Sequence, residues 1–251
     1  HVVGPGSGYL ACGDVDTGRM SEPEDIVEAV CEVLNPVSQD LTGKRIVITA
    51  GPTHEPIDPV RFIGNRSSGK MGIALAGEAA RRGAEVTLVL GPTSLDVPRG
   101  VACVSVQTAA EMLQAALSAF QTADAAICAA AVADYTPAAP ADHKLKKANE
   151  RLDRIELVET VDILAELSRQ KGERCVIGFA AETDNVLEYA QRKLDRKGCD
   201  AIIANDVSRA DSGFGTDTNK AWIVSKAVTQ ELPVLTKPQL ADTILDLLQN
   251  L

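Results

Sequence analysis

The sequence predicts a doubly wound, three-layer α/β domain built on a mostly parallel sheet. Short apolar, β-branched runs alternate with longer segments of helical period, the pattern of repeated strand–helix units. Most of those runs are apolar throughout rather than alternating, which suits strands buried on both faces of a parallel sheet. The 251 residues are 45% hydrophobic and 24% charged, values of a folded globular chain that exclude disorder, collagen and coiled coil.

Residues 1–23, HVVGPGSGYLACGDVDTGRMSEP, are glycine-rich without a strand or helix period and read as a loop. EPEDIVEAVCEVL, 22–34, places apolar residues at helical spacing, with Ser21 as the expected N-cap and acids in the first turn. NPVSQDLTG is a linker by composition and divides 1–38 from a main domain of 39–251. From Lys44 onward RIVITAG, EVTLVLG, VACVSV, AAICAAAV, CVIGFAAE, DAIIAND and AWIVS read as strands. Helices are expected from Ser68 to Gly83 and over 108–120, 161–170, 184–198 and 237–250. KAWIVSKAVTQELPVL holds two short strands with no helix between them, so a small antiparallel hairpin should complete the sheet near the C-terminus. The arrangement is Rossmann-like. In such sheets ligands lie beyond the carboxyl ends of the strands, at a switch in strand order. The loops that matter are therefore 51–68, 91–100, 131–147, 180–184 and 205–219.

Lys and Arg total 25 against 35 Asp and Glu, a net charge of −10. Such a chain is repelled by phosphate polymers and anionic bilayers, so neither nucleic acid nor membrane is an expected partner. No apolar run reaches the roughly 18 residues of a membrane span, and nothing at the start reads as a signal peptide. A cytoplasmic location is expected. The cysteines (Cys12, Cys31, Cys103, Cys128, Cys175 and Cys199) form no C-x-x-C pair and read as buried, reduced thiols. Three histidines without an H-E-x-x-H give no reason to expect a metal site.

The first loop reads GPTHEPIDPVRFIGNRSSGKMG. Gly64 to Lys70 approaches a phosphate-binding G-x-x-x-x-G-K, but Met71 stands where a magnesium-ligating hydroxyl is needed, and the preceding strand ends too early. A dinucleotide fingerprint is missing too, because the second strand ends Leu90-Gly91-Pro92 without an acid for a ribose hydroxyl. What is left is a helix opening at Ser67, Ser68 and Gly69, whose free N–H groups and positive dipole end suit an anion. Arg61 and Arg66 are close in sequence, and Asn65 brings a donor and an acceptor. A capped helix with exposed arginines fits the same residues. Gly72, Ala74, Ala76, Gly77, Ala79 and Ala80 should let that helix lie close to the sheet.

In the second loop a buried strand runs to Asp134, followed by a proline-rich stretch and the basic run His143 to Lys147. Lys144 and Lys146 alternate about Leu145, as on a flap with lysines on one side. The run is either solvated surface or a set of ammoniums able to close over a triphosphate. In the third stretch Phe179 ends a strand, and Lys193 and Lys197 share one helix face. Core packing for the ring and solvent for the lysines are the alternatives.

Together these segments resemble the phosphopantothenoylcysteine synthetase family of coenzyme A biosynthesis, which in most bacteria forms the C-terminal half of a fused decarboxylase/synthetase. The matching stretches are ITAGPTHEPIDPVRFIGNRSSGKMG, AAAVADYTP, the KLKK run, VIGFAAET and ANDVS, followed by Phe214, Gly215 and Asn219, in order over about 44–225. The leading GYLACGDVDTGRM resembles the end of the flavin-dependent decarboxylase half, with Cys12 at that half's proton-donor position. By this resemblance 1–38 is a remnant plus linker and 39–251 the synthetase domain. FMN belongs only to the missing part, and no decarboxylation is expected.

The resemblance implies a two-step ligation. The carboxylate of 4'-phosphopantothenate attacks the α-phosphate of CTP, releasing pyrophosphate and leaving an acyl-cytidylate; the amine of L-cysteine then displaces CMP. It gives Asn65 the handling of the acyl-cytidylate, Lys144 a flap contact to nucleotide phosphates, and Arg61 a place in the same motif. It assigns CTP contacts to Cys128, Ala129, Ala130, Asp134, Val158, Glu159, Thr160, Val161, Phe179, Lys193 and Lys197. Mg2+ accompanies the nucleotide, and family members pair as homodimers through this domain. Such a reaction needs positive charge on the triphosphate and a fixed amide at the mixed anhydride, with no covalent nucleophile. The chain departs from the family at Glu159-Thr160-Val161-Asp162, where K-N-P-D is common. A nicotinamide-dependent oxidoreductase and a non-catalytic nucleotide-binding module are the other readings.

Overall fold

The computed structural model describes residues 2–9, 14–34, 38–146, 153–209, 211–213 and 215–251. Cys12, Lys147 and Phe214 lie outside them. The chain divides into two compact units, one ending at Asp40 and the other Leu41–Leu251.

In the first unit β1 (Gly6–Tyr9) pairs antiparallel with β2 (Val15–Arg19), and α1 (Pro23–Leu34) follows. The stretch read as a loop is thus a hairpin. Its ladder is made by backbone groups of Gly, Ser, Thr and Asp, which leave no apolar alternation to read. Helix α1 opens at Pro23, and the Ile26 N–H bonds to the Glu22 carbonyl at 3.1 Å, so Glu22 rather than Ser21 stands at the cap. Proline suits that first position because its missing N–H would be unpaired anyway.

The second unit runs β3 (Arg45–Ala50), β4 (His54–Pro56), β5 (Phe62–Gly64), α2 (Lys70–Arg81), β6 (Glu85–Leu90), β7 (Val101–Ser105) and α3 (Ala109–Phe120). Then come β8 (Ala125–Cys128), β9 (Tyr135–Pro137), β10 (Leu157–Glu159), α4 (Ile163–Gln170), β11 (Cys175–Glu182) and α5 (Val186–Lys197). The unit closes with β12 (Ala201–Asp206), β13 (Thr218–Ser225), β14 (Thr229–Thr236) and α6 (Lys237–Asn250). Eight strands form the main sheet in the order β14-β13-β12-β11-β8-β3-β6-β7. From β12 to β7 the pairings are parallel, whereas β13 and β14 are antiparallel. This is the doubly wound α/β fold expected, and its chain order reverses between β3 and β8, where a ligand crevice belongs.

Alternate residues of each buried strand feed two cores. Ile46, Ile48 and Leu88 pack with Leu75, Ala76 and Ala79 of α2 and Leu240 and Ile244 of α6. Val47, Val89 and Ala126 face the other way, onto Met112, Ala116 and Phe120 of α3 and Leu164, Leu167 and Leu194 of α4 and α5. Truncating any of these leucines to alanine costs about 2–5 kcal/mol. Gly72 brings α2 onto β3: a Cβ there would stand 2.3 Å from the Ala50 Cβ.

Four further expectations change. The 51–68 loop contains the β4–β5 hairpin, too short for a periodic signal. The strand through Ala125 stops at Cys128 rather than Asp134, and Tyr135–Pro137 instead pairs with Leu157–Glu159 in a separate ribbon. Phe179 lies within β11, which continues to Glu182. Finally, β7 is the sheet edge, so its apolar run is largely exposed and Cys103 is not buried.

Candidate functional site

At the β3–β8 reversal backbone pairing continues past the ends of both strands. The Ala129 N–H bonds to the Thr49 carbonyl at 3.1 Å and the Ala131 N–H to the Gly51 carbonyl at 2.9 Å. Thr53, fully buried, accepts the Ala133 N–H on Oγ1 at 3.0 Å. The segment 128–134 is therefore fixed as an extended rim.

The β4–β5 hairpin leans on this rim. His54 stacks on Phe62 with ring centroids 3.7 Å apart. The buried Glu55 carboxylate accepts the Ala109 N–H at 2.8 Å, an anion on the opening turn of α3. Asn65, exposed just after β5, donates through Nδ2 to the Ala131 carbonyl at 3.1 Å and the Val132 carbonyl at 3.0 Å. Both protons of the amide are thus spent on protein carbonyls, which leaves Oδ1 as the group presented outward.

At the hairpin tip Asp58 has no exposed side-chain surface. Its carboxylate accepts the Val60 and Arg61 N–H groups at 2.9 Å each, the Arg61 Nε–H at 3.0 Å and the Leu145 N–H at 3.2 Å. Arg61 Nη2 bonds to the same carboxylate and donates to the Leu145 carbonyl at 3.0 Å. The Arg61 guanidinium, then the backbone N–H groups, hold the Asp58 carboxyl far below the usual range against the opposing effect of burial. The expected placement of Arg61 beside the opening of α2 is replaced by this pairing. Lys144 and Lys146 are exposed on either side of the half-buried Leu145.

A second cationic corner forms where β8 and β11 end. Lys193 Nζ donates to the Phe179 carbonyl at 2.8 Å, and Lys197 pairs with Asp162. Neither lysine is freely solvated. Burial lowers the Lys193 pKa, the Lys197 charge adds to that, and Asp162, Glu182 and Asp134 oppose it. Burial pushes the Asp162 carboxyl up, but Lys197, the Ala165 N–H and the Lys193 charge together outweigh it and leave it lowered. The rim joins this corner through Thr160, whose N–H bonds to the Asp134 carbonyl at 2.9 Å and whose Oγ1 bonds to the Ala133 carbonyl at 2.7 Å. Val158 and Glu159 pair with Thr136 and Tyr135, and the side chains of Val158, Glu159 and Val161 are exposed. The Cys128 thiol, pushed up to about 12 by burial, is protonated and inert.

Ser67, Ser68 and Gly69 lie at the amino end of α2. Gly69 is the cap, with φ of 83° and no side chain on the first-turn donors. The Ser67 hydroxyl accepts the Gly69 N–H at 3.3 Å, and the Ser68 carbonyl accepts from Thr93 at 2.8 Å. Sequence reasoning missed what stands beside this end. Lys70 Nζ reaches the Gly215 carbonyl at 3.0 Å and Asp217 at 2.6 Å. Lys237, only 6% exposed, reaches Asn219 Oδ1 at 2.5 Å, and burial lowers its pKa to about 8. A signal was available, since a lysine opening a helix opposes the dipole, and both lysines open one.

Among the described residues no cluster of three or more His, Cys, Asp or Glu suits a metal ion, and no helix is long and apolar enough to cross a membrane.

The family described as DNA/pantothenate metabolism flavoprotein C-terminal domain matches residues 41–251. The coenzyme A biosynthesis bifunctional protein CoaBC of Bacillus subtilis is 49% identical over 246 residues, covering 97% of this chain and 60% of that protein. The chain thus spans about 60% of the length of that relative. The crystal structure of the C-terminal domain of a CoaBC superposes with a TM-score of 0.72 at 46% identity, over 84% of this chain and 97% of that one. A Cab2 variant in complex with phosphopantothenate-cysteine shares the fold, with a TM-score of 0.66 at 16% identity over 92% of this chain and 95% of that one.

Proposed function

We propose, from the premise that this chain belongs to the DNA/pantothenate metabolism flavoprotein C-terminal domain family, that it ligates 4'-phosphopantothenate to L-cysteine at the expense of CTP. The observation that carries the reading is the single rim, 128–134, which meets Asn65 on one side and Thr160 and the Lys193–Asp162–Lys197 group on the other. A likeness to CoaBC over nearly the whole chain supports the substrate class. So does the phosphopantothenate-cysteine held by the distant Cab2 fold.

In the first step the substrate carboxylate attacks the α-phosphorus of CTP, and the bond to pyrophosphate breaks. Lys193 and Lys197, aided by Lys144 from the flap, would neutralise charge on the triphosphate as it moves onto the leaving group. The main chain of 128–130 and of 158–161 borders the same corner and would hold the nucleoside. In the second step the cysteine nitrogen attacks the acyl carbon and CMP departs with the bonding electrons. Asn65 spends its Nδ2 donors on the Ala131 and Val132 carbonyls, so its role here is to accept a hydrogen bond from the incoming amine on Oδ1 and orient it, while the proton the nitrogen loses on forming the amide passes to solvent. Ser67, Ser68 and Gly69 at the α2 amino end offer a separate place for the phosphate of phosphopantothenate.

Magnesium fits as a companion of the nucleotide. Asp134 and Glu182 could reach it; the described residues build no cage, and Mg2+ commonly binds through one or two carboxylates plus phosphate oxygens. Pairing of two copies through this domain, a cytoplasmic location, and descent of the first unit from a flavin-dependent decarboxylase complete the reading. The test is pyrophosphate release on mixing the chain with CTP, Mg2+ and phosphopantothenate. Binding of CTP without pyrophosphate would reduce the protein to a nucleotide-binding module.

A further inference from the structure

We propose that Asp58 is a positioning residue for the lysine flap, acting through the backbone of Leu145; the catalytic part of this rests on the ligase reading above. The side chain is wholly buried at the tip of the β4–β5 hairpin. Its carboxylate takes the Leu145 N–H, while the guanidinium it orients takes the Leu145 carbonyl. One peptide residue is therefore gripped at both its donor and its acceptor. Nearby, the Ala141 N–H bonds to the Ile57 carbonyl at 2.9 Å, a second tie between the same turn and the same stretch.

The consequence for Lys144 is geometric. Lys144 and Lys146 are exposed on either side of the half-buried Leu145, so fixing the peptide groups of Leu145 fixes the points from which both lysines leave the chain. A long lysine side chain loses rotamer freedom when it is held, and a mobile backbone beneath it would add to that loss. Gripping the backbone removes that second source of disorder before any anion arrives. An aspartate suits this task better than an amide. It is an acceptor only, and here it receives three backbone N–H groups and both arms of Arg61. An asparagine would turn one of those contacts into a clash of donors. The hairpin also leads through β5 into Asn65, so one small element bears on both half-reactions, and only the tip concerns the flap.

The experiment uses the full chain and D58N. Hydrogen exchange of peptides covering 141–146 should rise at least 10-fold in D58N, with the core strands unchanged. The rate of pyrophosphate release should fall by about 10- to 100-fold, the scale of a small misplacement of a reacting group, through a raised KM for CTP. Turnover of supplied acyl-cytidylate with cysteine should stay within 2-fold, on this estimate of a role confined to the first step. In a K144Q, K146Q background D58N should cost nothing further, because the lysines it positions are gone. Unchanged exchange over 141–146, or a full D58N penalty in the lysine-free background, overturns the proposal. A wild-type chain that releases no pyrophosphate overturns the ligase reading instead, and the exchange experiment still decides the grip on Leu145. Should D58N fail to fold, R61K keeps the charge but shortens the reach to the Leu145 carbonyl, and carries the same expectations.

Discussion

Lys193 Nζ is bonded to the Phe179 carbonyl at 2.8 Å, so a cation on α5 is tethered to the main chain of β11. The tether fixes where positive charge meets the ends of β8 and β11. Lys193→Met keeps the stem that packs and removes the charge, so KM for CTP should rise by roughly 10- to 100-fold, about one charge-assisted contact. Because burial lowers the Lys193 pKa, this charge is lost as pH rises sooner than for a solvated lysine. Affinity for CTP should therefore weaken toward alkaline pH in the wild type, and less so in the variant. Calorimetric titration at several pH values checks both.

Asn65→Asp tests the assignment of the amide. The replacement is isosteric, yet it sets a carboxylate against the Ala131 and Val132 carbonyls that now accept from Nδ2. Amide formation should fall by about 100-fold, the scale of a misplaced orienting group, with acyl-cytidylate accumulating while pyrophosphate is still released. Chromatography of quenched reactions would show it; a normal amide yield would remove Asn65 from the second step.

Lys237 should leave a mark on stability. Its folded pKa is about 8, below that of the unfolded chain near 10.4. The unfolded state thus binds more protons across that window, and stability from this group rises with pH between about 8 and 10.4. Below pH 8 the buried charge costs on the order of 1–3 kcal/mol. In urea titrations at pH 7.5 and 10, the difference between wild type and Lys237→Met should change in favour of the wild type as pH rises. A difference independent of pH would show that Lys237 is not the titrating group.

Gly72→Ala should destabilise by about 1–3 kcal/mol, an overpacking cost, because the added carbon would meet Ala50 at 2.3 Å. Gly77→Ala on the same helix meets only Pro98 at 3.4 Å and serves as the control in thermal melts.

Thiol reactivity should be uneven. Burial holds the Cys128 and Cys175 thiols up at about 12 and Cys199 at about 11, so all three stay protonated at pH 8. Cys103 is exposed on β7. Of these four, Cys103 alone should take iodoacetamide within minutes in peptide mapping.

The centre of the sheet was legible because β3, β6, β8 and β12 are buried and written mostly in Ile, Val, Leu and Ala, and the helices because their apolar residues recur at helical spacing. The short ribbons were not. Three-residue strands such as His54–Pro56 and Tyr135–Pro137 contain no full period and are set by backbone pairing. Of the candidate site, the shared helix of Lys193 and Lys197 was readable from their spacing, and the place of Asn65 just before the opening of α2 from the chain itself. The site was illegible where groups meet across the fold: nothing local tells that Arg61 reaches the Leu145 carbonyl, or that Lys70 reaches Asp217 and Lys237 reaches Asn219.

The ribbon of β9 and β10 borders the cationic corner with its peptide groups while Val158, Glu159 and Val161 point to solvent. The exposed side chains of Val158, Glu159 and Val161 can therefore be exchanged without loss of a ladder hydrogen bond, whereas Thr160 is bound to its place by the bond from its Oγ1 to the Ala133 carbonyl.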